Sequence, residues 1–347
     1  MERALGLHDE VAYPHGERIP GPGESIAVAP GVRWIRMPLP FALDHINLWL
    51  LEDGDGWTLV DTGYGTQVTF DLWGRHLVDT LEGRPVKRVI VTHYHPDHLG
   101  CAAWLVEKTG ASFWITLGEF LSGHAAHDDT AGFDRPTGID FFARNGLDVS
   151  RFPEKLRTGN GYRRGVPTIP TTYRRMMDGD VISIGGCDWQ VITVFGHAPE
   201  HAALYCASKN VLISGDQVLP RITTNVGVWG NQPEGNPLEL FLTSLGKFAH
   251  LPADALVLPS HDRVFTGLHA RIGQLHRHHE ERLARLLEGC NGITAFEAIP
   301  LLFKRQLDDH QLMFAMGEAI AHLHYLQRAG KARRSVDGDG VRRFHRA

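Results

Sequence analysis

The stretch Val89-Ile90-Val91-Thr92-His93-Tyr94-His95-Pro96-Asp97-His98-Leu99-Gly100-Cys101-Ala102-Ala103-Trp104-Leu105 decides how this chain is read. Val89, Ile90 and Val91 form a β-branched run of the kind that fills a buried strand, and Leu99 to Leu105 carries the spacing of an amphipathic helix. Between them, four of the six residues of His93-Tyr94-His95-Pro96-Asp97-His98 are metal ligands by type. A strand end and a helix start fix the backbone. His93 and His95 can then point to one side and converge on one ion, while Asp97 and His98 face a neighbouring position. Imidazole nitrogen and carboxylate oxygen suit a borderline cation such as zinc, and an open position on it can activate water. A solvated, histidine-rich turn would have the same composition, so the decision passes to the rest of the chain.

Working upstream, Ser25 to Ala29, Arg33 to Met37, Ile46 to Leu51 and Trp57 to Val60 alternate with turns as a meander of antiparallel strands, with hairpin chemistry in Glu52-Asp53-Gly54-Asp55-Gly56. The last of these strands ends in Asp61-Thr62-Gly63. A carboxylate there can orient a ligand imidazole, although an Asp before a Gly also serves as a turn former. His45 and Asn47 precede a strand near the same edge and are candidate substrate contacts, with hairpin hydrogen bonding as the equal explanation.

Downstream, helix, strand and ligand turn are followed by a helix to about Lys108 and a strand from Ser112 to Thr116. From Gly118 to Asp178 the pattern breaks into Gly, Pro and Arg clusters. This is too long for an ordinary connection and is expected to be a lid or substrate-binding insertion that governs substrate choice rather than metal binding. Strands then resume, and each delivers a ligand type at its end: His197 after Trp189 to Phe195, Asp216 after Val211 to Ser214, and His261 after Ala255 to Leu258. Arg221, Asn225 and Trp229 follow Asp216 on a loop expected to overhang the site as a substrate rim. His201 reads as a structural residue, and His276, His278 and His279 as the solvated face of a helix.

At 347 residues, 43% hydrophobic and 22% charged, the composition is that of a globular protein. Residues 1–10 lack the basic start and apolar core of an export signal, and no segment approaches the length of a membrane span, so a cytoplasmic protein is expected. Cys101, Cys187, Cys206 and Cys290 lie far apart and read as reduced thiols. The net charge of −5 is uneven. From Thr266 onward 13 Lys and Arg face 9 Asp and Glu, which is +4; the remaining 22 against 31 leave −9. Residues 266–347 are therefore expected to form a separate helical, winged-helix-like unit after a catalytic domain of residues 1–265.

Taken in order, Asp61 in Val60-Asp61-Thr62-Gly63, the His93-x-His95-x-Asp97-His98 turn, His197, Asp216 and His261 resemble the metallo-β-lactamase superfamily over roughly residues 25 to 265. The resemblance implies an α+β fold, a four-layer αββα sandwich with two metal ions at one edge. His93, His95 and His197 would hold one ion, Asp97, His98 and His261 the other, and Asp216 would bridge. It implies zinc, with iron or manganese as alternatives, and hydrolysis by a water activated between the ions. Asp97 would orient that water or assist the leaving group, and Asp61 would fix the tautomer of a ligand imidazole.

An aspartate at the position of Asp216 places the chain nearer to glyoxalase II-like hydrolases than to true zinc β-lactamases. About 44 residues between Asp216 and His261 are too few for an inserted nuclease domain. The similar group with a C-terminal winged-helix-like extension includes acyl hydrolases and an endoribonuclease. A small ester, thioester or lactone is the expected substrate. Nucleic acid ranks behind it, with a binding protein that keeps the metal site as a further alternative. No membrane partner is expected, and the C-terminal unit is suited to a homodimer contact.

Overall fold

Strand β3 (His45–Asp53) explains why the chain stacks in layers. Successive side chains of a strand point to opposite faces, and here both faces are covered. Leu48 and Leu50 enter one apolar core, while Trp49 and Leu51 enter another. The computed structural model describes residues 11–151 and 159–347. Residues 1–10, on which the expectation about an export signal rests, lie outside the described residues.

The first sheet runs in chain order: β1 (Ile26–Ala29), β2 (Val32–Pro38), β3, β4 (Gly56–Val60), β5 (Val86–Ile90), β6 (Ser112–Thr116) and β7 (Arg174–Met176). Its first four strands form the expected antiparallel meander, and β4 to β7 pair in parallel. The second sheet has the order β12 (Leu256–Pro259), β11 (Val211–Gly215), β10 (His201–Cys206), β9 (Cys187–Val194), β8 (Val181–Ile184). Trp34, Trp49, Trp189, Leu204, Ile213 and Leu258 fill the space between the two sheets. Helices α1 (Gln67–Arg75), α2 (Pro96–Leu99) and α3 (Ala102–Thr109) lie on the first sheet's side, where Trp73 and Leu105 meet Leu48 and Leu59. The αββα sandwich implied by the resemblance is the fold observed.

Helices α4 (Leu117–His127) and α5 (Arg135–Ala143) belong to the stretch in which the sequence pattern breaks down. The outer face of the second sheet is covered by α6 (Pro237–Leu245), α7 (Leu268–Gly289), α8 (Ala295–Leu302) and α9 (Asp309–Arg328). A small sheet of order β13 (Asn291–Ile293), β15 (Arg342–Arg346), β14 (Ala332–Val336) follows. Strand β13 was not foreseen, because Asn-Gly-Ile has no alternation to show. Helix α9 starts before its apolar run because Asp308 and Gln311 close a capping box ahead of Leu312.

Residues on both sides of Thr266 share one core. Phe142, Val228 and Phe241 pack with Leu275, Met316 and Ile320, and the backbone N–H of Val228 donates to the carbonyl of Gly317 at 3.0 Å. Between α7 and α9 the Arg282 guanidinium meets the buried Glu318 carboxylate. Burial pushes the Glu318 carboxyl up to about 7, although Arg282 pulls the other way. His279 corrects the expectation of a solvated face: it is buried, with Nδ1 3.1 Å from Nε2 of His322. Its ring faces the core because α7 is covered by α9 along that side.

Removing one partner of a buried ion pair leaves an uncompensated charge. Arg282→Met is expected to cost about 3–5 kcal/mol in urea unfolding, and the double change Arg282→Met with Glu318→Met less than Arg282→Met alone.

Candidate metal centre

All seven ligand-type side chains lie at one edge of the sandwich, five on the connections that follow strands and two, Asp97 and His98, on α2. The ligand turn leaves β5 and enters α2, His197 lies between β9 and β10, Asp216 directly follows β11, and His261 follows β12. Three groups of converging atoms result: His93, His95 and His197; His93, His98 and Asp216; Asp97, His98 and His261. His93 Nε2 lies 2.9 Å from His95 Nδ1 and 3.2 Å from His197 Nε2. On the other side, Asp97 Oδ2 is 3.7 Å from His98 Nε2 and 3.5 Å from His261 Nε2.

Asp216 stands between the two groups. Its Oδ2 is 3.3 Å from His197 Nε2, while its Oδ1 is 3.6 Å from His98 Nε2 and 3.5 Å from His261 Nε2. Ligand atoms bound tetrahedrally at about 2.0–2.1 Å sit about 3.3–3.4 Å apart, which is close to these separations. His98 Nε2 and Asp216 Oδ1 are buried without a hydrogen-bond partner. Buried polar atoms are rarely left so, and a cation between them would satisfy both. The residues therefore fit the metal ions that the resemblance implies.

Hydrogen bonds on the outer side of the rings fix which nitrogen faces inward. His197 Nδ1 donates to the carbonyl of Asn225 at 2.7 Å and His261 Nδ1 to the carbonyl of His45 at 2.9 Å. Because a carbonyl only accepts, each Nε2 keeps its lone pair for the cluster. His98 Nδ1 donates to Asp61 Oδ2 at 2.8 Å. Asp61 reaches this position from a left-handed turn, φ 62°, at the end of β4, and its carboxylate also accepts from the Thr92 N–H and hydroxyl. Burial opposes a charge on His98, but Asp61, Asp97 and Asp216 together push it up to about 10. His93 and His95 are held well below the usual imidazole range by burial and by the neighbouring imidazoles. Those two stay neutral, the form that binds metal.

Two family models match the chain. Residues 42–261 match the metallo-beta-lactamase superfamily, and residues 283–347 match the metallo-beta-lactamase-like, C-terminal domain. The chain belongs to the metallo-β-lactamase superfamily. It is similar to a beta-lactamase domain protein from Burkholderia ambifaria, whose crystal structure is 45% identical with a TM-score of 0.92 over 98% of this chain and 99% of that one. A probable metallo-hydrolase of Bacillus subtilis, YqjP, is 25% identical over 84% of this chain and 91% of its own length. A hydroxyacylglutathione hydrolase of Idiomarina loihiensis is 25% identical over 64% of this chain and 63% of its own length.

In this member of the superfamily, two of the candidate substrate contacts make the hydrogen bonds that were their equal explanation. Asn47 is fully buried: its Oδ1 accepts from Trp34 Nε1 and Arg36 Nε, and its Nδ2 donates to the carbonyls of Pro259 and Asp262. With its amide occupied it pins the loop that carries His261. His45 works beside it, with Nε2 accepting from the Asp262 N–H at 2.9 Å and Nδ1 2.7 Å from Asp44 Oδ1. Asn225 serves the site through its carbonyl on His197, and Arg221 is exposed with Nε 3.7 Å from Asp262 Oδ2. Trp229 does line a cleft with His95 and Tyr94. His201 is a support: its Nε2 accepts from the Asp216 N–H at 3.2 Å. It packs so closely that a Cβ at Gly215 would come within 2.2 Å of it.

Glu119 was missed. This buried carboxylate, in the first turn of α4, accepts from the N–H of Tyr94 at 2.9 Å and of Glu200 at 2.6 Å. It ties the turn of His93 and His95 to the turn of His197. Tyr162 adds a hydroxyl bond to the Tyr94 carbonyl at 2.5 Å. The insertion therefore braces the metal ligands, against the expectation that it acts only on substrate. A lone Glu in a helix's first turn reads as a complement to the helix dipole, so the sequence carries no separate signal for this role.

Two metal equivalents per chain are expected from elemental analysis. Asp61→Asn should weaken metal affinity about 10- to 100-fold, as loss of such an orienting partner commonly does. Asp216→Ala should do more damage than His201→Ala, because it removes the carboxylate between the two groups. Glu119→Gln offers only one accepting oxygen to two N–H groups, so it should lower metal retention in a competition titration with a chelator. Unchanged retention would exclude the bracing role.

Proposed function

We propose that this chain is a binuclear metal-dependent hydrolase of a small-molecule ester, thioester or lactone. The observation that carries the proposal is a cleft of about 280 Å³ that opens on His95 and is walled by Tyr94, Phe133, Trp229 and Phe314. Its size is near the lower end of small-ligand sites, and apolar walls with few polar groups are their usual lining. Two divalent cations held by the seven ligand groups beside this cleft would supply a Lewis acid for the substrate carbonyl and a water acidic enough to attack at neutral pH. The chain's own part is to hold those ligand groups in place. Asp97, partly exposed at its side chain, is placed to orient the water or carry a proton to the leaving group. Hydrolysis adds water across the acyl bond, giving an acid and an alcohol or thiol. The name of the Idiomarina relative points to the thioester member of this class.

We rank the endoribonuclease alternative second because three arginines of the basic C-terminal cluster are paired internally: Arg334 and Arg342 lie 3.0 and 3.1 Å from Glu234, and Arg343 lies 3.0 Å from Asp337 and 3.4 Å from Glu297. Helix α9 is largely buried, packed mainly against α7, α8 and β14 and also against α6, which leaves little of it for a nucleic-acid groove. No helix among the described residues is long and apolar enough to cross a membrane.

The test is a panel of thioesters, lactones and p-nitrophenyl esters run beside a labelled single-stranded RNA, each with the native chain and a His95→Ala control. Turnover of at least one acyl substrate, abolished in the control, is expected. RNA cleavage lost in the control, falling steeply with salt and unmatched by ester turnover, would replace this proposal with the nuclease reading.

A further inference from the structure

Among the described residues, Arg135 is the one Lys or Arg that lines the cleft reaching His95. It is half-buried at the start of α5, and its guanidinium lies against Gly161, where a Cβ would come within 2.7 Å of Nη2. The bare α-carbon of Gly161 thus makes room for it. The nearest carboxylate in sequence is engaged elsewhere: Asp134 caps α5, accepting from the Thr137 N–H and hydroxyl at 2.9 Å each. Among the described residues Arg135 makes no ion pair and no hydrogen bond through its guanidinium. Burial and the like charge of Arg164 lower its pKa, and Asp129 offsets them only in part. The lining around it is mostly apolar, with Phe133, Trp229 and Phe314, and it also includes the carboxylates of Asp129 and Asp134. A half-buried guanidinium that makes no hydrogen bond or ion pair among the described residues, with Asp129 acting on it only at longer range, faces a ligand-sized and mostly apolar space and is a site for an anion with planar oxygens.

We propose that Arg135 is a specificity-determining residue that holds a carboxylate of the substrate, so that the preferred molecules are acyl compounds carrying a free carboxylate in addition to the scissile bond. This rests on the acyl-hydrolase reading above and names the substrate class for the same site. The carboxylate can belong to the acyl half or to the leaving thiol, and the experiment separates the two.

Succinyl, glutaryl and adipyl thioesters of N-acetylcysteamine are compared with their neutral propionyl, butyryl and valeryl counterparts. A butyryl thioester of 3-mercaptopropionate provides the leaving-group arm. The metal-loaded native chain should favour one carboxylate-bearing arm by about 10- to 100-fold in kcat/KM, the scale of a charge-assisted hydrogen bond. Arg135→Gln should bring that ratio close to one, chiefly through KM, and Arg135→Lys should keep part of it. A ratio near one in the native chain, or the same ratio in Arg135→Gln, overturns the proposal. Calorimetric titration with N-methylglutaramic acid, which carries one carboxylate, and with the uncharged N-methylbutyramide gives a readout that needs no turnover. If no thioester is hydrolysed, but the carboxylate-bearing amide binds more tightly than the neutral one and loses that advantage in Arg135→Gln, the hydrolase reading fails and the role of Arg135 stands. Equal binding of the two amides to the native chain overturns the role of Arg135 whatever the turnover.

Discussion

The Asp216 carboxylate is the constraint on which the site depends. It is buried and ionised, with its carboxyl held well below the usual carboxylate range: burial works against the charge, and His261, His98 and His197 more than compensate. A buried charge of this kind is tolerable only where opposite charge converges on both of its oxygens. The fold arranges that convergence by ending strands of both sheets, β5 and β11 among them, at the same edge of the sandwich. Hydrophobic packing between the sheets, with three tryptophans in the shared core, gives these strand ends a rigid footing.

A second set of residues keeps the ligand loops in register with one another. Asp61 and Thr92 work from behind the ligand turn, Asn47 and His45 from behind His261, His201 from behind Asp216, and Glu119 between the turns of His93 and His197. Each bond joins segments far apart in the chain. Losing one would therefore move a ligand without removing it, and catalytic geometry is sensitive to shifts of that kind.

The ligands were legible because their chemistry is local: His93, His95, Asp97 and His98 fall within six residues, and the others each follow a strand of plain apolar pattern. The sandwich was legible for the same reason, since Ile46 to Leu51 and Val211 to Ser214 are nearly continuous apolar runs of the kind that strands covered on both faces carry. What was hidden depends on partners distant in sequence. Asn47 looks like a rim residue until Pro259 and Asp262 arrive beside it. His279 looks solvated until α9 covers α7. Strand β7, Arg-Arg-Met, has no apolar signature because only Met176 is buried and its membership comes from pairing with β6. The arginines of the C-terminal hairpin read as a basic surface because Glu234, their counter-charge, lies about a hundred residues earlier.

The sharing of one core across Thr266 also orders events during synthesis. His261, the last ligand, leaves the ribosome about 53 residues before Phe314, which walls the cleft; at 5–20 residues per second the delay is roughly 3–10 s. For that interval the nascent chain carries every metal-binding side chain, but the second sheet's outer face, with Leu212 and Val257, lacks the cover of Met316 and Ile320. The groups that would hold metal are thus made before the wall of the cleft, and in between the outer face of the second sheet still lacks its cover.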